Sequence, residues 1–159
     1  MRGLKKVLAL VLILLMLLSF SGCNESTISE SEITDAVLRT MQKERETVSL
    51  DRDKIEGFFG FSDNLLKSFS VLVSTNEEAV FEIGALTPDD NDDLFTIIDG
   101  ITRRHNDTVI SYKLINSTAS DSEVGYLLMH LGDTVIYVLA NDVAAAEQTL
   151  TEMGANEIN

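Results

Sequence analysis

The chain of 159 residues has one cysteine, one proline and two histidines, and it sets 12 lysines and arginines against 26 aspartates and glutamates. Each scarcity excludes something. A lone cysteine cannot close an internal disulfide, so the fold has to rest on an apolar core. Two histidines, His105 and His130, fall on separate predicted elements and do not supply the clustered ligands that a transition metal requires. Basic residues this sparse argue against nucleic acid as a partner, because its binding is driven by neutralising phosphates with Lys and Arg. There is no Gly-rich phosphate loop, no dinucleotide fingerprint and no Gly-x-Ser-x-Gly turn.

What is present begins at the N-terminus. Arg2, Lys5 and Lys6 precede an unbroken apolar run from Val7 to Leu18, followed by Ser19-Phe20-Ser21-Gly22-Cys23. A basic segment, a short apolar segment and small residues at a cleavage site are the layout of a secretory signal peptide. The run falls short of the roughly 20 apolar residues that span a bilayer. The small pair Ser21-Gly22 leads directly into the only cysteine. The segment Phe20-Ser21-Gly22-Cys23 resembles the lipobox of bacterial lipoproteins, departing from it at Phe20, where an aliphatic residue is usual. That resemblance implies a diacylglyceryl thioether on Cys23, cleavage before it, and a domain anchored on the outer, extracytoplasmic face of the cell membrane. No other cofactor is expected.

The expected organisation is a signal peptide over residues 1–22, a polar tether over 23–31 and a single domain over 32–159. Loss of the signal takes Arg2, Lys5 and Lys6 with it and moves the net charge from −14 to −17. Such a domain repels anionic head groups and polyanions. The remaining length, about 137 residues, is one domain's worth and can bury a core without a metal.

Patterning then predicts the elements. Ser29 with Glu32 forms a capping box ahead of a helix over 31–46, with Ile33, Val37 and Met41 on one side and a charged tail from Gln42 to Glu46. Asp51 can cap a short helix bearing Ile55, Phe58 and Phe59, broken by Gly60. The cluster Phe58, Phe59 and Phe61 reads as core. Phe69, Val71 and Val73 alternate as a strand, Asn76-Glu77 reads as a turn, and Ala79–Leu86 as the antiparallel partner. Residues 89–105 read as a helix on Leu94, Ile97, Ile98 and Ile101, with acids at its start and Arg103-Arg104-His105 at its end, both complementing the helix dipole. Val109–Ile115 fits a continuing helix or a strand, and residues 116–123 a polar loop. Gly132-Asp133 reads as a two-residue turn between strands at Tyr126–Leu131 and Thr134–Ala140. Asp142 can cap a last helix carrying Val143, Ala146, Leu150 and Met153, stopped by Gly154. The predicted fold is α+β: a four-stranded antiparallel sheet of two hairpins with helices on one face, in the order α-α-β-β-α-β-β-α.

Several of these features together resemble a family of uncharacterised lipoproteins of Gram-positive bacteria, domain of unknown function 4358. They are the lipobox, Phe58-Phe59-Gly60, the strands around Asn76-Glu77-Glu78-Ala79, the helix with Arg103-Arg104, and the hairpin Gly132-Asp133-Thr134-Val135-Ile136-Tyr137-Val138. The resemblance covers roughly residues 50–155. It implies location and supplies no catalytic residue, metal ligand or cofactor.

The acidic run Asp89-Asp90-Asn91-Asp92-Asp93 places oxygens at alternate positions, as a calcium loop does. Counting from Asp89, however, Leu94 and Gly100 stand where that loop needs Gly and Glu. The run reads as a helix start. Three functions stay open at this level. The first is a non-catalytic envelope module binding a protein partner or a small ligand. The second is a small extracytoplasmic enzyme using carboxylates on wall or glycan, and the third a cation-binding lipoprotein.

Overall fold

The computed structural model describes residues 28–41, 46–75, 80–116 and 124–158. The signal peptide, Cys23, the Asn76-Glu77 turn and most of the loop after Asn116 lie outside the described residues. Helix α1 (Glu30–Thr40) starts inside the segment read as tether, and Ser29 and Glu32 form the predicted capping box. Strand β1 (Thr47–Ser49) follows, then a 3-10 turn leading into short helix α2 (Ile55–Phe59), which ends at Gly60. Strands β2 (Leu66–Ser74) and β3 (Phe81–Pro88) form the first hairpin, and helix α3 (Leu94–Ile115) crosses back. Strands β4 (Gly125–Leu131) and β5 (Thr134–Ala140) form the second hairpin, followed by helix α4 (Ala144–Glu152) and strand β6 (Asn156–Glu157).

All six strands join one antiparallel sheet in the order β1-β2-β3-β5-β4-β6. The expectation of four strands is therefore wrong. The two hairpins are where the alternation put them, but each gains an outer strand of three or two residues, too short for a period-2 pattern to show. Short edge strands limit the exposed row of unpaired backbone groups.

The expectation of helices on one face is also wrong. Helices α1 and α4 pack Ile33, Val37, Ala146 and Leu150 onto Phe81, Ile83, Ile136 and Val138. Helices α2 and α3 pack Ile55, Phe59, Ile97 and Ile101 onto the opposite face, against Leu86, Val135, Tyr137 and Leu139. The central strands β3 and β5 are buried on both sides, which is why they read as continuous apolar runs. The order is α1-β1-α2-β2-β3-α3-β4-β5-α4-β6 in three layers.

Helix α3 is the third departure. The acids Asp92 and Asp93 lie in a 3-10 turn, and the helix continues ten residues beyond His105. No Gly or Pro interrupts Arg103–Ile115. Val109 and Tyr112 pack against the α2/α3 layer and hold the extension down. The helix of Val109–Ile115 is one of the two readings that the sequence left open.

Two local devices fix the frame. Gly132 takes φ 58° in the β4–β5 turn, as a two-residue hairpin turn demands. Glu30, the first residue of α1, accepts hydrogen bonds from Ser68 on β2 and Thr87 on β3, and Thr87 in turn meets Thr134 of β5 at 2.8 Å. The start of α1 is thus latched to one end of the sheet.

In the sheet centre Gly84 faces Tyr137 across the β3–β5 ladder. A Cβ on Gly84 would fall 2.0 Å from the Tyr137 ring. Gly84→Ala should therefore force a shift of ring or strand and destabilise the domain by about 1–3 kcal/mol. Urea unfolding checks this, and an unchanged midpoint would contradict it.

Candidate functional site

Alternation along β3 sends Phe81, Ile83 and Ala85 to the α1/α4 face and Glu82, Gly84 and Leu86 to the α2/α3 face. Glu82 consequently stands in an apolar layer, 4% exposed, the only buried charged residue among the described residues. Its partner comes from α3. Arg104 Nε donates to one Glu82 carboxylate oxygen at 3.2 Å, and Nη2 donates to the other. The guanidinium also lies 4.1 Å from the centroid of the Phe58 ring on α2. Both carboxylate oxygens are thus engaged by a planar fork, the arrangement that gives an Arg–carboxylate pair its geometric specificity.

Burial pushes the Glu82 carboxyl above its ordinary range. The hydrogen bond and charge of Arg104 pull it back without cancelling that effect. Nearby, the Tyr126 and Tyr137 hydroxyls are buried without a hydrogen-bond partner among the described residues. Burial raises the Tyr137 hydroxyl far above its ordinary value, and the Glu82 charge adds to that rise. Burial raises Tyr126 too, against a smaller opposing pull from the neighbouring Thr102 hydroxyl, which makes no hydrogen bond of normal geometry to it. The His105 ring stacks on Tyr126 at 4.4 Å with 7° between planes, and burial lowers its pKa.

The ion pair lines an open cleft of about 280 Å³ between α3 and the β2–β3 end of the sheet. Val73, Val80, Phe81, Tyr112 and Ile115 supply apolar walls, and Thr108 and Ser111 supply hydroxyls. Thr108 donates to the Arg104 carbonyl at 2.9 Å, one turn back along α3. At the rim of the cleft and beyond it α3 exposes Ile115, Ile110 and Leu114, which are 58%, 58% and 81% exposed.

The other sequence candidates fall elsewhere. His105 stands within α3 and stacks on Tyr126, so it does not end a helix as expected. His130 lies in a second depression of about 290 Å³ with Asp133, Glu157 and Leu94, its Nδ1 3.4 Å from the Gly132 carbonyl oxygen. The structure does not bring the two histidines to one site. The Asp89–Asp93 run does not lie in α3 itself: it leads into the helix through a 3-10 turn, with Asp90 accepting from the Asp92 N–H at 3.1 Å. Among the described residues no group of three His, Cys, Asp or Glu side chains can hold a metal ion. No described helix is long and apolar enough to cross a membrane.

Sequence reasoning missed Glu82 and Arg104 as a pair. Arg104 looks like a helix-end cation, and Glu82 falls inside the strand Ala79–Leu86 with nothing beside it in sequence to mark a partner. The available signal was Glu82 inside Val80-Phe81-Glu82-Ile83, a charge in a strand too apolar to have a wet side. No family model, curated protein or solved structure matches the chain.

Removing one member of a buried pair leaves an uncompensated charge, at a cost of about 3–5 kcal/mol. Arg104→Met should show that loss at pH 7. The folded-state pKa of Glu82 is raised, so its favourable contribution is complete below the unfolded value and is lost as pH rises through the folded one. Without Arg104 that folded value climbs further. Arg104→Met should therefore regain stability between pH 7 and pH 5 to a greater extent than wild type. Glu82→Gln should gain less than wild type. Urea midpoints at the two pH values check this, and parallel pH profiles for all three proteins would contradict it.

Proposed function

We propose that the chain is a lipid-anchored extracytoplasmic lipoprotein, of the kind seen in the domain of unknown function 4358, and that its domain is a non-catalytic binding or adaptor module of the cell envelope. Cys23 carries the diacylglycerol, and the cleft beside Glu82 and Arg104 is the binding site. The observation that carries the binding reading is the state of that ion pair. A carboxylate with both oxygens held by one guanidinium is not free to act as a base or nucleophile. It is suited instead to fixing one wall of a cleft. Apolar surface with a few placed polar groups is the usual make-up of a recognition site. A glycan-cleaving reading needs two carboxylates roughly 5–10 Å apart in one cleft. Among the described residues that line this cleft, Glu82 is the only one.

The test is cross-linked recovery of the tagged full chain from intact cells, with Cys23→Ser and Ser111→Arg beside it. Ser111 is an exposed residue of the cleft, and arginine there fills the opening. The expected result is one dominant envelope partner with the wild-type chain, lost with either variant. A partner retained by Ser111→Arg would remove the cleft from the account. Recovery of nothing specific from exported, folded protein would overturn the adaptor reading.

A further inference from the structure

The depression that holds His130 lies at the other end of α3 from the cleft, roughly 25 Å along the helix from Leu94 to Ser111. Its volume is about 290 Å³ and its apolar lining comes from three elements. Leu94 and Ile98, one turn apart on α3, line it together with Val135 of β5 and Ile158 just past β6. His130 sits directly across the ladder from Val135 and so shares its face of the sheet. Asp133 in the β4–β5 turn and Glu157 on β6 add carboxylates. A neighbouring polar depression of about 350 Å³ shares Asn91 and Asp133 with the first and reaches Asp89, Asp90 and Lys67. The two form one concave track, apolar at one end and acidic along its length.

We propose that this track is a docking site for a basic polypeptide segment. An apolar side chain of the partner sits among Leu94, Ile98, Val135 and Ile158, and its lysines or arginines meet Asp133, Glu157, Asp89 and Asp90. The apolar lining supplies the contact area, and the carboxylates select the occupant. All four acids are exposed, and none forms an ion pair among the described residues. Against their four charges stand Lys67 and the positive end of α3, which is worth about half a charge. The track is therefore negative, and it repels anionic lipid and polyanions. A second copy of this chain, itself at −14, is repelled too. A small monovalent cation would engage one or two of the carboxylates. Four of them spread over two joined depressions match a segment carrying several basic residues. The site depends neither on the lipid at Cys23 nor on the cleft beside Glu82.

The purified full chain, in nonionic detergent at about 0.15 M salt, is titrated against a fluorescein-labelled pentapeptide of alternating lysine and leucine, read by anisotropy. Three variants run beside it: Asp133→Asn with Glu157→Gln, Leu94→Ser, and Asp107→Asn with Glu147→Gln. The last pair removes the same charge from α3 and α4 outside the track. All five positions are exposed, so each variant keeps the fold, and its urea midpoint checks this. The expected result is saturable binding by wild type, weakened about fivefold or more by the Asp133 and Glu157 changes, the size expected of two exposed ion pairs. Leu94→Ser should weaken it about threefold. The Asp107 and Glu147 changes should alter it less than about twofold, since they lie beyond a Debye length from the track. Equal loss in the two charge variants would mean that the peptide reads net charge alone, and would overturn the site. Unchanged binding by Leu94→Ser would remove the apolar seat and overturn it as well, as would the absence of saturable binding by wild type.

Discussion

A buried carboxylate in an apolar layer needs a partner, and that need organises the α2/α3 side of the domain. Strands β3 and β5 are covered on both faces, so apart from Thr87 and Thr134, which are half-buried, neither turns a side chain to water. Glu82 is on β3 nonetheless. Its charge is tolerable only because Arg104 occupies both carboxylate oxygens and rests its guanidinium on Phe58. One residue on the central strand is thereby tied to one turn of α3 and one ring of α2. Tyr137, whose ring crosses Gly84, fills the space next to that tie and packs edge-on to Phe59 at 5.9 Å. The position of α3 along the sheet, and with it the cleft, follows from these contacts.

The two faces of the sheet do different work. On the α1/α4 face the contacts are apolar in the middle and hydroxylic at one edge, where Ser68, Thr87 and Thr134 gather around Glu30, and Thr34 meets Ser70 at 2.8 Å. That face holds the point where the chain enters the domain. On the α2/α3 face the aromatic cluster seats α3, and the last turns of α3 project an apolar lip beyond the cleft. Entry and cleft are kept apart by the length of the strands between them.

Much of the local structure was legible because local chemistry determines it. The Ser29–Glu32 capping box, the stop at Gly60, the Gly132-Asp133 turn and the Asp142 cap, whose carboxylate accepts from the Ala144 N–H at 3.0 Å, are all written within four residues of where they act. What was not legible depends on pairing across the sheet. The edge strands Thr47–Ser49 and Asn156–Glu157 exist because Val73 and His130 offer them open ladders, and nothing in two or three residues announces that. Helices on both faces follow from the double burial of β3 and β5, whose largely apolar sequences do not alternate as one-sided strands do. The end of α3 was misplaced because Arg103-Arg104-His105 looks like a dipole-complementing terminus, whereas Arg104 is used sideways, toward Glu82. The candidate site was therefore invisible as a site. Glu82 and Arg104 are 22 residues apart, and only the fold brings them into contact.

The central claim is that the Glu82–Arg104 tie makes the cleft a preformed part of the folded core. Hydrogen exchange on the wild-type chain, read residue by residue, tests it most directly. The α3 amides around Arg104 and Thr108 should exchange as slowly as those of Ile83 and Val138 in the central strands, in a single opening event. Fast exchange of α3 from Arg104 onward, with the sheet still protected, would mean that this helix lifts independently and that the cleft is not a standing feature of the domain.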